Sequence, residues 1–311
     1  MRRWAGIARR GLAAILAGLI VSCTSAPPPQ PSAPAADAEV VQSMAVARRA
    51  YEQGAFAQAQ ALYRQALLRA RAMDHAALAA DAAYNLAVSE VALRNYDAAD
   101  RWLREAGFDA ARASTDTAEP LLLRAKVAYL RGRPAEAVAF ADSIIDSAAS
   151  LALRRQATIL RGQIRAEAGD LALARADLHA SMPPEAAAPG APAIAADVKK
   201  LEGTIAWREG NPALAAQHFD EEADLLRLAA RYRDMGHAFA RAADAYLAAA
   251  DASRAAQRYF LAARSLDGLG DAEAAKAHLA ASIAAASRAG DEAASGRARA
   301  LLDEINRRAG P

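Results

Sequence analysis

Cysteine is almost missing from this chain: Cys23 is the only one in 311 residues. A single thiol forms no internal disulfide and builds no Cys-ligated metal centre. Aromatic residues make up only 5% of the chain, too few for a bulky globular core. No run of five or six like charges occurs, so the sequence offers no basic stripe for nucleic acid. The histidines His75, His179, His218, His237 and His278 include no pair four residues apart, and no HExxH motif is present. A nucleophile elbow, a phosphate-cradling glycine loop and a dinucleotide fingerprint are also missing. No catalytic residue, metal or cofactor is therefore expected. The acidic run Asp220-Glu221-Glu222 with Asp224 reads as a solvated helix face rather than a pair of catalytic carboxylates.

Long apolar runs are lacking too. The longest useful one, Gly11 to Val21, is roughly 11 residues, well short of the ~20 that span a bilayer. It follows Arg2, Arg3, Arg9 and Arg10, the layout of an export leader over residues 1–22. The residues Leu19-Ile20-Val21-Ser22-Cys23 resemble the lipobox of bacterial lipoproteins, which implies cleavage before Cys23 and its lipidation. Thr24 after the cysteine fits outer-membrane sorting in such proteins. Loss of the four leader arginines takes the basic count from 38 to 34 against 36 acidic residues, a balance of −2. The basic character of the whole chain thus belongs partly to the leader.

Residues 23–37 read as a tether, with Pro27, Pro28, Pro29, Pro31 and Pro34 favouring polyproline II. Fourteen such residues reach about 40 Å at ~3.1 Å each. Beyond them alanine, close to a third of the chain, predicts closely packed helices.

A repeat organises residues 38–181 and 195–311. Gly54, Arg94, Gly132, Gly169, Gly210, Ala250 and Gly290 recur at spacings of 40, 38, 37, 41, 40 and 40. Five residues after these anchors stand Ala59, Ala99, Ala137, Ala174, Ala215, Ala255 and Ser295. Seven before them stand Ala47, Ala87, Ala125, Gly162, Gly203, Ala243 and Ile283. Three repeats place Leu and a β-branched residue four apart around the small one: Leu123 and Val127, Leu160 and Ile164, Leu201 and Ile205. A glycine inside a helix costs about 1 kcal/mol relative to alanine, so Gly162 and Gly203 point to helices in close approach. The loop Gly270-Asp271 separates repeats six and seven, and Asp74, Asp170, Asp271 and Asp291 are candidate helix N-caps. The prolines of residues 182–194 interrupt the array as a surface loop.

With Phe56, Tyr63 and Ala66 in the first unit, Leu86, Tyr96 and Ala106 in the second, and Tyr246, Tyr259 and Ala262 in the sixth, the pattern resembles the tetratricopeptide repeat. The resemblance implies an all-α, right-handed superhelix of about seven antiparallel helix pairs, closed by a polar seventh unit. It departs from the family in a spacing near 40 and in lacking a closing proline in most repeats.

In that family the first helix of each pair lines an inner groove that takes peptides or partner helices. The residues placed there are Tyr51, Tyr84, Asn85, Lys126, Tyr129, Gln163, Trp207, Arg208 and Arg241, while Trp102 falls between repeats as core. The expectation is a noncatalytic adaptor for envelope proteins or peptides, with no nucleic-acid partner. It would be anchored by lipid to the outer membrane, face the periplasm and serve a pilus, outer-membrane insertion or peptidoglycan-synthesis assembly. The alternatives are a peptidoglycan-binding or cell-wall-processing factor and a peptide sensor with a closed pocket.

Overall fold

The computed structural model of the chain describes residues 35–182 and 192–309. These hold fourteen α-helices and no strand. The helices pair as seven antiparallel hairpins. The first four are α1 (Ala35–Glu52) with α2 (Phe56–Ala72), α3 (Ala76–Ala92) with α4 (Tyr96–Arg112), α5 (Ala118–Leu130) with α6 (Pro134–Ile145), and α7 (Leu151–Ala168) with α8 (Leu171–Ser181). The last three are α9 (Pro192–Arg208) with α10 (Pro212–Leu228), α11 (Tyr232–Ala248) with α12 (Ala252–Asp267), and α13 (Ala272–Ala289) with α14 (Glu292–Ala309). Each helix packs on its chain neighbours, so the hairpins stack into an all-α helical-repeat superhelix.

All seven anchor residues sit in the turn inside a hairpin, with φ from 60° at Arg94 to 93° at Gly169. In each turn the amide after the anchor bonds back to a carbonyl five residues earlier, as in Asn95 N–H to Glu90 O (2.8 Å) and Asp251 N–H to Tyr246 O (2.8 Å). This Schellman closure needs a left-handed residue, which explains glycine at five of the seven positions. Arg94 and Ala250 adopt the same conformation with a side chain.

The small columns are the contact surfaces between helices. Ala59, Ala99, Ala137, Ala174, Ala215, Ala255 and Ser295 are fully buried, as are Ala47, Ala87, Ala125 and Ala243. A β-carbon on Gly162 would lie 2.8 Å from Leu201 Cδ2, and one on Gly203 2.5 Å from Phe219 Cε1. In the seventh hairpin Ile283 is half-buried, and its neighbour Ser282 takes the buried place and donates to Ala256 O (2.8 Å). Between the columns lie single large side chains such as Leu67, Leu103, Ile144, Leu226 and Leu279. Trp102 packs against clusters formed by two neighbouring hairpins, as expected.

Ion pairs supply part of what the thin core lacks. Asp177, buried on α8, accepts from Arg161 (2.6 Å) and Arg165 (2.7 Å) of α7, and Arg161 also reaches Asp142 of α6 (2.5 Å). On α10 the acidic run behaves differently from a solvated face. Asp220 accepts a forked contact from Arg258 (2.6 and 2.9 Å) and the Tyr246 hydroxyl (2.8 Å), while Glu222 is 3% exposed and accepts from Arg241 (2.6 Å). Only Glu221 and Asp224 of that run are exposed, because residues three apart share one face of a helix.

Two sequence boundaries shift. Helix α1 begins at Ala35, within the stretch read as tether, and α9 begins at Pro192, within the stretch read as loop. Proline suits a first helical turn, where its missing N–H leaves no bond unmade. Asp74 is no N-cap: it holds a left-handed turn (φ 52°), and His75 caps α3 through Nδ1 to Leu78 N–H (3.2 Å). Asp271 and Asp291 do cap, accepting from Ala274 (3.3 Å) and Ala294 (2.8 Å), whereas the Asp170 side chain makes no cap bond. The leader, Cys23 and the tether up to Pro34 lie outside the described residues, as do residues 183–191.

Hairpins four and five pack directly despite the proline-rich connection. Gln163 Nε2 donates to Thr204 Oγ1 (3.0 Å) in a buried bond from α7 to α9. Arg208 Nη2 donates to Glu167 O (2.7 Å), and Arg175 pairs with Glu209.

Candidate functional site

The odd-numbered helices line one face of the stack, and in the middle repeats their side chains form two adjoining recesses. One, of about 340 Å³, is walled by Lys126, Tyr129, Gln163, Asp197, Lys200 and Arg231 over an apolar floor of Leu130, Ile159 and Leu160. The second, of about 480 Å³, continues through Gln163, Glu167, Lys200 and Thr204 to Trp207, Arg208, Arg241 and Asp244. Six of the nine residues expected in a groove, Lys126, Tyr129, Gln163, Trp207, Arg208 and Arg241, therefore come together across α5, α7, α9 and α11.

The other three do not line these recesses. Tyr51 and Tyr84 are half-buried against the core of the first two hairpins. Asn85 Nδ2 donates to Asp81 O of its own helix (2.8 Å), which commits the amide locally. Burial raises the Tyr51 hydroxyl pKa, with the charge of Asp234 adding to the rise and that of Arg233 opposing it. Burial and the Glu119 carboxylate push the Tyr84 hydroxyl up to about 12.

Several groove residues went unnamed in the sequence reading: Glu167, Asp197, Lys200, Thr204, Arg231 and Asp234. They build its electrostatics. Glu167 accepts from Tyr129 OH and from Gln163 Nε2 (2.7 Å), and burial raises its pKa although Lys200, Arg208 and Arg241 oppose that. Arg231 is shared between Asp234 (2.8 Å) and Asp197 (3.4 Å). Arg241 stacks its guanidinium 5.6 Å from the Phe219 ring centre and is held by buried Glu222. Burial raises the Glu222 pKa against the pull of Arg241, and Glu222 Oε2 and Arg241 Nε have no hydrogen-bond partner among the described residues.

Lys126 and Lys200 have no carboxylate within 4.0 Å among the described residues, unlike Lys199, which meets Glu202 and Glu221 at 2.8 Å each. Lys126 is exposed, and the protein packed around the recess nevertheless desolvates it and lowers its pKa. Trp207, 41% exposed, stands at one end of the lining. The arrangement combines apolar floor, aromatic rim and uncompensated amines, residue types that carry polypeptide binding at interfaces. Among the described residues no group of three His, Cys, Asp or Glu side chains is placed to hold a metal ion. No described helix is long and apolar enough to cross a membrane.

Seven stacked helix hairpins with left-handed turns, small contact columns and a groove on one helix set define a tetratricopeptide-like helical-repeat fold. The chain is similar to the apo form of the quorum sensor NprR from B. thuringiensis, with a TM-score of 0.50 and 14% identity over 87% of this chain and 77% of that one. It is also similar to PilW, a type IV pilus biogenesis factor (TM-score 0.47, 20% identity, 78% of this chain and 91% of that one). A tetratricopeptide repeat protein from Parabacteroides merdae gives a TM-score of 0.45 at 14% identity, over 86% of this chain and 99% of that one. No protein-family model and no curated protein matches the sequence.

Proposed function

We propose that the chain is a noncatalytic scaffold that holds an extended peptide segment or partner helix in the groove between α5 and α11, and that lipidation at Cys23 tethers it to the periplasmic side of the outer membrane within an envelope assembly. The observation that carries the binding reading is the convergence of Lys126, Tyr129, Gln163, Trp207, Arg208 and Arg241 from four separate helices onto one continuous lining. Such convergence has no role in the core, because Trp207 and Lys126 keep contact with water. The leader and lipobox residues support the tether.

A peptide-sensing variant of this reading draws on the walls that α5, α7, α9 and α11 raise around the two adjoining recesses. The bound segment would then be partly enclosed rather than lying on an open surface.

Crosslinking in membranes followed by pull-down of the full chain tests the scaffold. Lys126→Glu with Trp207→Ala should release the captured protein while leaving the melting temperature unchanged. A partner retained by that variant, or retention on purified cell-wall sacculi with no protein partner, would overturn the reading. Cys23→Ala tests the tether separately, since it should abolish lipidation and outer-membrane fractionation without changing capture by the groove.

A further inference from the structure

Stacking places the turns of the second and third hairpins side by side, and four arginines meet there away from the groove. Arg94 comes from the α3–α4 turn, Arg101 from α4, and Arg131 and Arg133 flank the left-handed Gly132 between α5 and α6. Together they line a recess of about 550 Å³. The acidic groups available to them are few. Arg131, itself 19% exposed, pairs with Asp97, which is 77% exposed, and lies 3.9 Å from Asp100, which Arg104 and Arg124 already hold; Glu136 approaches Arg133 at 3.5 Å with both side chains in contact with water. Exposed pairs of this kind neutralise little. Arg94 and Arg101 have no carboxylate within 4.0 Å among the described residues.

A recess between the first and second hairpins differs. There Arg71 and Arg112 are met by Glu105, Asp109 and Asp74 at 2.6 to 3.3 Å, so that its charge is closed within the protein. Leaving four guanidinium groups around one hollow with a single lining carboxylate costs repulsion that an external anion would relieve. Guanidinium forks match the paired oxygens of carboxylate and phosphate, which favours either over a halide, and a phosphate has more charge and more oxygens to share among four arginines than a lone carboxylate.

We propose that the recess between Arg94, Arg101, Arg131 and Arg133 is a binding site for a phosphate-bearing ligand, either a soluble phosphate ester or a phospholipid headgroup.

The full chain is titrated calorimetrically with inorganic pyrophosphate at low ionic strength and, in parallel, sedimented with phosphatidylglycerol vesicles against phosphatidylcholine vesicles. Each probe is applied to the natural sequence, to Arg94→Gln/Arg101→Gln, and to Arg49→Gln/Arg299→Gln, which removes two exposed arginines elsewhere. Because Arg94 and Arg101 are exposed, their variant should melt like the natural chain. The expected result is saturable binding that weakens about tenfold in Arg94→Gln/Arg101→Gln and stays unchanged in the control pair. A loss confined to pyrophosphate assigns the site to a soluble ligand, and a loss confined to phosphatidylglycerol assigns it to a headgroup. Equal weakening by both double variants, or no dependence on Arg94 and Arg101 with either probe, overturns the site.

Discussion

Gly203 on α9 lies against the ring of Phe219 on α10, so closely that an added β-carbon would sit 2.5 Å from Cε1 and 2.7 Å from Cδ1. Phe219 is 4% exposed and belongs to the core shared by the fifth and sixth hairpins, which leaves its ring little room to retreat. Gly203→Ala gains about 1 kcal/mol of helix preference. It also incurs an overpacking cost of about 1–3 kcal/mol. The net outcome is a chain destabilised by about 1 kcal/mol. Gly296→Ala on α14 is the control, because nothing lies within 4 Å of its would-be β-carbon and only the helix gain remains. Thermal or urea unfolding of both variants decides the matter: equal stabilisation by the two would mean that α9 and α10 are not in close approach at Gly203.

Ala250 presents the opposite case. It holds φ 61° in the turn between α11 and α12, a conformation in which glycine stands at five equivalent turns. A side chain there crowds the following carbonyl. Ala250→Gly should therefore stabilise the chain, by about 0.5–1 kcal/mol. A lower melting temperature in the variant would show that the left-handed turn is not retained in solution.

These two residues also mark how far the sequence could be read. The anchor column located every turn inside a hairpin, and the small columns located the interhelical contacts, because both follow the 3.6-residue period and the turn chemistry of a single hairpin. The groove was legible in part by the same logic. Lys126 and Gln163 each stand one residue after the small column, and Thr204 and Asp244 occupy that position in the next two repeats. Lys200 stands three residues before it, where Ile159 lies in the preceding repeat. What could not be read was partnership. Whether Asp220 is solvated or forked to Arg258, and whether Lys126 shares a recess with Asp234, depends on the rotation of one hairpin on the next, accumulated over several units. Local pattern carries no record of that sum. Asp74 failed as a cap for a related reason: a left-handed turn residue moved the cap one position on, to His75.

His278 provides a pH signature. Its imidazole stacks on Tyr259 with ring centres 6.2 Å apart, and burial lowers its pKa from the usual 6.5 although Asp244 and Asp271 pull the other way. A base whose folded pKa is depressed binds fewer protons when folded than when unfolded, so its contribution to stability is present above about pH 6.5 and is lost as pH falls through the folded value. Glu167 and Glu222, whose pKa values are raised, act in the reverse sense: what they contribute is present below their ordinary range and is lost as pH rises through their folded values. The His278 share is therefore read as a difference. Between about pH 7 and pH 5 the natural chain should lose more stability than His278→Gln. Parallel curves would show that His278 titrates as it does in water.

Lys126 allows the groove to be probed without knowing its ligand. Desolvation by the surrounding helices lowers its pKa, and Arg231 and Lys200 lower it further against the pull of Asp197 and Asp234. Lys199, one residue from Lys200, shows the contrary balance. Burial acts against its charge, but hydrogen bonds and attraction from Glu202 and Glu221 outweigh that and raise its pKa. Only the free amine acylates, so the rate of modification follows the deprotonated fraction at a given pH. Competitive labelling with limiting acetic anhydride between about pH 8 and pH 10, read by peptide mass spectrometry, should find Lys126 modified before Lys199. The two rates should converge only above that range, where both amines are free, because Glu202 and Glu221 hold Lys199 above the ordinary lysine value. A segment seated between α5 and α11 would cover Lys126 and leave Lys199 unchanged, so the same ratio, measured after capture from membranes, reports occupancy of the groove. Equal labelling of the two lysines in the free chain would mean that the surrounding helices do not desolvate Lys126, and its place in the groove lining would have to be given up.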